Sequence, residues 1–166
     1  MTIIDLPASR LDEFYQVFSE LMHEGYADFP LELREHFLNK DYPQASFSFW
    51  LERNVRKIIV ALEDDKIAGF LIGDHTYGGV GFISWLGVLP SFRKRQFASA
   101  LLQEYEKYAK SKNAHLLELF AGNNVKAFYE KLGFTCVGHR DHGYYGQENN
   151  IMDKVIGEWS PDLLAS

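Results

Sequence analysis

Residues 81–111 read GFISWLGVLPSFRKRQFASALLQEYEKYAKS, and the change of pattern within this stretch decides the fold. The first part, Gly81 to Val88, is apolar and is followed by Pro90, which is typical of a buried strand. From Phe97 the apolar residues recur every three or four positions, which predicts a long amphipathic helix. A buried strand that continues through a short basic loop into a helix is typical of an α/β protein.

The segment before this stretch has the pattern of a β-hairpin. Two short apolar runs, Ile58–Leu62 and Ile67–Gly73, flank the charged turn Glu63–Lys66, which is the usual signal for two paired strands. A second turn is expected at Gly78–Gly79. The strands on either side of these turns should therefore be antiparallel.

Helices are predicted ahead of the hairpin. Helical spacing of apolar residues begins at Leu11 and indicates an amphipathic helix that ends near Gly25. Pro30 and Pro43 stand where each would open a shorter helix.

The segment after the long helix alternates strand and helix. Strands are expected at Leu116–Phe120, Phe134–His139 and Ile151–Ile156, with a short helix at Val125–Leu132. Because the early strands join by tight turns and the later ones through helices, the sheet should be mixed. We predict an α/β (α+β) fold: a mostly antiparallel central sheet of about six or seven strands, flanked by helices, with a parallel pair at its middle.

The composition excludes several classes of protein. The 166 residues favour one domain, residues 1–166. Hydrophobic residues make up 46% and aromatic residues 15%, which is too apolar for an intrinsically disordered chain. The net charge of −6 argues against general nucleic-acid binding, which needs attraction to phosphate backbones.

The cysteine and histidine residues indicate the redox compartment of the protein and whether it binds a metal. Cys136 is the only cysteine, so we expect no intrachain disulfide, no cysteine-based zinc cluster, and a reducing, cytoplasmic setting. His139 and His142 are close in sequence but lack a third partner at metal-site spacing, so no metal is expected. No secretory signal or membrane-spanning segment is expected, which predicts a soluble protein.

Two motifs resemble the GNAT N-acetyltransferase superfamily. The run VLPSFRKRQFASALL at Val88–Leu102 resembles the motif in which a strand ending in V-x-P leads through R/Q-x-x-G-x-G/A into a helix, with Gln96 at the central glycine. The run LLELFAGNNVKAFYEKLGF at 116–134 resembles the next motif, an asparagine after a strand and then FYEKLGF. The resemblance covers Ile58 to Ile156 in family order and implies the GNAT fold with a splayed central pair of parallel strands.

The resemblance implies acetyl-coenzyme A, or another acyl-coenzyme A, as donor and a primary amine as acceptor. The motif spacing is most similar to the branch that acetylates protein N-terminal alanine, although the segment from Asn123 to Tyr129 is one residue shorter than is usual there. A small-molecule or peptide amine therefore remains open as acceptor. The donor-binding residues that the resemblance implies are Leu86, Gly87, Val88, Arg93, Lys94, Arg95, Gln96, Phe97, Ala98, Ser99, Asn123 and Phe128.

The basic run Arg93–Arg95 at the start of a helix has two interpretations. Cations are unfavourable beside the positive end of the helix dipole, so a bound pyrophosphate and 3′-phosphate would account for them; the alternative is a solvated charge run. The resemblance also implies that the strand at Leu86–Val88, interrupted by Gly87, offers backbone N–H groups to the acyl oxygen. At Gln96 we expect a negative φ, with the side chain pointing away and the amides still available.

Glu118 and Tyr129 are the candidate catalytic residues. An alkyl amine arrives mostly protonated at neutral pH, and Glu118, a carboxylate in the apolar run LLELF, could remove its proton; the alternative is a charge on the solvent face of a strand. The resemblance makes Tyr129 the acid that protonates the departing thiolate; the alternative is a core tyrosine beside Phe128. Asn123 is either a contact of the pantetheine arm or a helix cap.

Three hypotheses follow from these residues. The first is an acyl-coenzyme A-dependent N-acetyltransferase that works by direct transfer in a ternary complex. The second is a non-catalytic acyl-coenzyme A-binding or sensing module, and the third is a partner-binding domain without a ligand. Tyr26, Phe29, Tyr144 and Tyr145 either frame an acceptor pocket or pack at its rim. A homodimer through apolar surface at Trp50 or Trp159 is left open.

Overall fold

The computed structural model describes residues 1–26, 28–74 and 77–161. Within these residues the chain forms seven strands and five α-helices. The strands are β1 (Thr2–Asp5), β2 (Arg56–Glu63), β3 (Lys66–Asp74), β4 (Val80–Val88), β5 (Leu116–Ala121), β6 (Thr135–Arg140) and β7 (Asn149–Val155). The helices are α1 (Leu11–Glu20), α2 (Leu31–His36), α3 (Gln44–Arg53), α4 (Phe97–Ser111) and α5 (Asn123–Lys131). None of the helices among these residues is long and apolar enough to cross a membrane.

The strands pair in the order β1-β2-β3-β4-β5-β7-β6. β4 and β5 run parallel, with Val80–Ile83 paired to Leu116–Leu119, whereas β7 is antiparallel to both β5 and β6. The predicted mixed, mostly antiparallel sheet with a central parallel pair is confirmed. β1, antiparallel to β2, was not expected, because its four residues carry only two apolar side chains.

The predicted turns and helix starts are confirmed. The β2–β3 hairpin turns at Asp64 and Asp65, whose φ values are +49° and +58°, as a tight two-residue hairpin turn requires. Pro30 and Pro43 directly precede α2 and α3. The helix that begins at Leu11 also ends near Gly25, although its last five residues form a wider π-helical turn.

Two compact units divide the chain. The first contains residues 1–72 and 85–102, and its core is aromatic: Phe14 packs edge-on against Phe47 and Phe70 at ring separations of 5.1 and 5.3 Å. Burying one such side chain stabilises the fold by about 1.5–3 kcal/mol. The core therefore holds α1 and α3 against the strands of this unit.

Among the described residues, the second unit contains residues 73, 74, 77–84 and 103–161. Its central side chain is Tyr105 of α4, which is fully buried and donates its hydroxyl hydrogen bond to the carbonyls of Asp74 and Phe82 at 2.8 and 3.0 Å. A Cβ at Gly73 would collide with the Tyr105 ring. Glycine is thus required there by the close approach of α4, and the single-domain expectation stays a prediction.

Candidate functional site

The end of β4, Leu86–Val88, lies in the first unit and has little space on one side. A Cβ at Gly87 would lie 2.8 Å from Leu21 Cδ1 and 3.1 Å from Phe70 Cζ. The expected interruption of the strand at Gly87 is wrong, since β4 continues to Val88. Packing, and not a bend, requires glycine at this position.

Side chains hold two carbonyl groups at this strand end. The Tyr26 hydroxyl donates to the Leu86 carbonyl at 2.8 Å. Arg93 Nε donates to the Val88 carbonyl at 3.1 Å. These bonds fix the backbone on both sides of Gly87.

The loop between β4 and α4 contains two non-glycine residues in the left-handed region, Lys94 at φ +60° and Gln96 at φ +65°. The expected negative φ at Gln96 is therefore wrong. The Gln96 carbonyl accepts from Ala100 N at 3.0 Å and from Ser99 Oγ at 2.9 Å. Gln96 adopts a left-handed φ where its carbonyl accepts the first hydrogen bond of α4. Glycine adopts such a φ without strain, which accounts for the glycine at this position of the motif.

The cations of this loop differ in the charged partners that they have within the chain. Arg95 forms an ion pair with Glu63, and its guanidinium lies 5.5 Å from the ring centres of both Phe92 and Phe97. Within the described residues the Lys94 ammonium has no ion-pair partner. Arg93 likewise has no ion-pair partner among these residues, but its Nε donates to the Val88 carbonyl, so Lys94 is the cation of the loop with neither an ion pair nor a side-chain hydrogen bond there.

The start of α4 carries free backbone donors. The first helical hydrogen bond joins Ala100 N to Gln96 O, so the N–H groups of Phe97, Ala98 and Ser99 point out of the helix. This end combines donors with the positive end of the helix dipole, which suits a phosphate group. The Phe97 side chain is buried and anchors this end in the first unit.

Glu118 lies in the second unit on the less buried face of β5. Its neighbours Leu117 and Leu119 face the core and are each 1% exposed, whereas Glu118 is half-buried on the opposite face. Asp153 of β7 is directly opposite, and burial raises the pKa of this carboxyl group. Within the described residues Glu118 has no hydrogen-bond or ion-pair partner, so its carboxylate is available for a proton.

Tyr129 lies on α5 between two phenylalanines. Its ring packs edge-on against Phe128 at 5.1 Å and Phe134 at 5.7 Å. Burial raises the pKa of Tyr129 to about 12. Its hydroxyl has no hydrogen-bond partner in the part of the chain that is described, so Tyr129 is a protonated, unpartnered donor.

Asn123 is the first residue of α5, and its expected alternative as a helix cap is wrong. Gly122 occupies the cap position and, as glycine, makes no side-chain capping hydrogen bond. Instead, Asn123 Nδ2 donates to Glu148 Oε1 at 2.7 Å, and Asn123 Oδ1 accepts from Asn150 Nδ2 at 2.8 Å. Sequence reasoning missed Asn150, whose only signal was a polar residue at the start of an apolar strand.

The aromatic residues considered for an acceptor pocket differ in exposure. Tyr26 stacks on Phe29 at 6.2 Å, and both lie edge-on to Trp85. Tyr144 is 66% exposed and Tyr145 is 54% exposed. Tyr26 and Phe29 thus pack against the aromatic core of the first unit, whereas Tyr144 and Tyr145 are exposed in the second unit.

No cluster of three metal-ligating side chains occurs among residues 1–26, 28–74 and 77–161. His139 Nε2 lies 3.2 Å from both Asp141 Oδ1 and Glu148 Oε1. The second histidine of the predicted pair, His142, takes no part in this contact.

Comparison with known proteins bears on this arrangement. Residues 12–134 match the acetyltransferase (GNAT) family. An uncharacterised N-acetyltransferase of Methanocaldococcus jannaschii is 27% identical over 142 residues, which are 80% of this chain and 60% of the relative. The chain thus spans 60% of the length of that curated relative.

Solved structures share the fold. The PaiA N-acetyltransferase of Thermoplasma acidophilum, in complex with coenzyme A, superposes with a TM-score of 0.78 at 21% identity, over 93% of this chain and 98% of that one. The ribosomal-protein-S18-alanine N-acetyltransferase of Escherichia coli has a TM-score of 0.70 at 19% identity, over 97% of each chain. Because the family match extends over more than half of the sequence, the chain belongs to the acetyltransferase (GNAT) family.

Proposed function

We propose that the protein transfers an acetyl group from acetyl-coenzyme A to a primary amine, directly and within a ternary complex. The observation that carries this proposal is Tyr129, a half-buried phenol with an unpartnered hydroxyl inside the family motif. Burial raises its pKa to about 12, so the group keeps its proton at neutral pH. A group in this state can act as an acid and cannot act as a base.

The start of α4 supports donor binding. Three free N–H groups, at Phe97, Ala98 and Ser99, and the uncommitted Lys94 offer hydrogen bonds and charge to the pyrophosphate. Arg95 can contribute only after it leaves Glu63. The backbone N–H groups of Leu86–Val88 are proposed to bind the pantetheine arm and the acyl oxygen, since the strand is fixed there.

Glu118 is proposed as the base, acting directly or through water. The amine loses a proton to the carboxylate, and its lone pair attacks the thioester carbon. The resulting tetrahedral intermediate collapses, the carbon–sulfur bond breaks, and Tyr129 gives its proton to the departing thiolate. The nitrogen loses its second proton through water to the Tyr129 phenolate, which restores the phenol. One proton, held first at Glu118, is released overall, and the products are an amide and coenzyme A.

A non-catalytic acyl-coenzyme A-binding module is the alternative. It is favoured by two observations: Gln96 keeps a left-handed φ of +65° without glycine, and Arg95 is paired within the chain. Both features make the loop less suited to binding phosphate groups. Such a module would bind coenzyme A and release none from acetyl-coenzyme A.

The deciding experiment is an acceptor screen. Native protein is mixed with acetyl-coenzyme A and a panel of polyamines, aminoglycosides, lysine peptides and peptides with N-terminal alanine, and free coenzyme A thiol is measured. The Tyr129→Phe variant is the matched control, because it removes one oxygen. Turnover in the native chain that falls in this variant supports the enzyme; coenzyme A binding without turnover on any acceptor supports the module.

A further inference from the structure

Asn150 is a buried polar side chain whose hydrogen bonds are all made. Among the described residues it is the only polar one so deeply buried, at 3% exposure. Its Nδ2 donates to the Ala121 carbonyl at 3.2 Å and to Asn123 Oδ1 at 2.8 Å. Its Oδ1 accepts from His139 Nδ1 at 3.2 Å; Cys136 Sγ lies 3.8 Å from the same oxygen but is closer to the Gly138 carbonyl, at 3.4 Å. A buried amide with every group paired holds its partners firmly.

The two donor bonds span the turn between β5 and α5. Ala121 is the last residue of β5, Asn123 is the first residue of α5, and only Gly122 lies between them. Asn150 therefore clamps the chain on both sides of Gly122. Since the cap residue Gly122 has no side chain with which to bond the first turn of α5, the clamp anchors this end of the helix from β7.

A closed ring of four side chains surrounds the clamp. Asn123 Nδ2 donates to Glu148 Oε1 at 2.7 Å, and the same oxygen lies 3.2 Å from His139 Nε2. His139 returns to Asn150 through Nδ1. The ring thus joins Asn150 of β7, Asn123 of α5, Glu148 of the segment before β7, and His139 of β6.

His139 joins the ring through both of its ring nitrogens. Asn150 Oδ1 can only accept, so His139 Nδ1 must donate. His139 Nε2 lies 3.2 Å from both Glu148 Oε1 and Asp141 Oδ1, and its contact with Glu148 closes the ring.

We propose that Asn150 is a positioning residue for acyl-coenzyme A: through this ring it holds Asn123 in the orientation that the pantetheine arm requires. The proposal rests on the proposed function and on the interpretation of Asn123 as a contact of the pantetheine arm, since Gly122 and not Asn123 occupies the cap position of α5. After its two ring bonds, the Asn123 amide keeps one N–H and one lone pair. A pantetheine amide offers one acceptor and one donor in return, so orientation decides whether both bonds form.

The ring itself can be tested without a ligand. In the native chain, nuclear magnetic resonance should show slow solvent exchange of the Asn150 side-chain amide protons, because both donate in a buried site. Exchange at the rate of an exposed amide would overturn the ring. Asn113, whose side chain is exposed, serves as the internal reference for an exposed amide.

The coupling to the donor is tested by calorimetry with coenzyme A. We expect Asn150→Leu and Asn123→Ala each to weaken binding about tenfold, and the double variant to bind no more weakly than Asn123→Ala alone. Additive losses, or native affinity in Asn150→Leu, would refute positioning through Asn123. Asn149→Ala is the matched control and should retain native affinity.

Glu148 supplies a second pair of variants that should leave the core intact, because Glu148 is exposed. Glu148→Gln keeps an oxygen for Asn123 and should bind coenzyme A nearly as the native chain does, whereas Glu148→Ala should bind several-fold more weakly. Equal affinity of these two variants would contradict the ring even if Asn150→Leu fails to fold. If the native chain binds no coenzyme A, the proposed function fails and the coupling with it, while the exchange measurement still reports on the ring.

Discussion

Replacing Gln96 by glycine tests the backbone strain in the loop before α4. Gln96 has a φ of +65°, a region in which Cβ lies too close to the following carbonyl oxygen. Its own carbonyl accepts from Ala100 N and Ser99 Oγ, so the conformation is held by the first turn of α4. Glycine can adopt the same conformation without a Cβ.

The expected gain in the free energy of unfolding is the difference of two contributions. The left-handed conformation destabilises a residue with a Cβ by about 1–2 kcal/mol, and glycine removes this strain. Glycine also makes the unfolded chain more flexible, which lowers the free energy of unfolding by about 0.4–1 kcal/mol. We expect Gln96→Gly to raise the free energy of unfolding by about 0.5–1 kcal/mol. For a domain of this size the Tm should rise by about 1–4 °C.

Thermal unfolding followed by circular dichroism measures the effect, with Gln96→Ala as the matched control. Alanine removes the long side chain and keeps Cβ, so its Tm should stay near that of the native chain. Equal Tm values for the glycine and alanine variants would refute the strain argument. Calorimetry with coenzyme A should also show a change of less than about tenfold for Gln96→Gly, because three N–H groups of α4 remain in place.

Four further predictions concern the proposed site. Tyr129→Phe should lower kcat by about 10²-fold or more without a fall in Tm; because burial raises the pKa of Tyr129 to about 12, the native kcat should show no loss from phenol ionisation up to about pH 10. Glu118→Gln should lower kcat most at low pH, where the amine is most protonated, and a uniform loss in the pH–rate profile would indicate positioning instead. Asp153→Asn should raise the Tm by about 1–3 °C at pH 7. The sign follows from the raised pKa of Asp153, since the stability of the protonated form is lost as pH rises through that pKa, so the gain should vanish in acid melts. Lys94→Ala should weaken coenzyme A binding more than Arg95→Ala, and the difference should shrink in calorimetry at high salt.

Local signals predicted most of the fold. The hairpin of β2 and β3 follows from two apolar runs around a charged turn, and α2 and α3 follow from Pro30 and Pro43. These features depend on neighbours in sequence, which is why periodicity and turn chemistry suffice. β1 escaped prediction because Thr2–Asp5 becomes a strand only by pairing with β2, about sixty residues along the chain.

The candidate site was predictable only in part, because the motifs name residues and leave their partners open. Glu118 and Tyr129 were identified from their motifs, and alternation on β5 placed Glu118 on the face away from the core. The pairing of Arg95 with Glu63 joins residues that no local pattern links, and it changes which cation of the loop is uncommitted. Likewise, the left-handed φ of Gln96 was not predicted, because the sequence has no glycine at this position.

The ring around Asn150 depends on a register that the sequence does not display. Asn149 and Asn150 are identical neighbours on a strand, and they face opposite sides of the sheet. β6 and β7 pair as Cys136 with Met152 and then as His139 with Asn150, with an irregularity between Cys136 and Gly138. Without that extra residue, His139 would stand opposite Asn149. The bulge therefore turns His139 towards the buried asparagine, and it selects which of the two asparagines holds the start of α5.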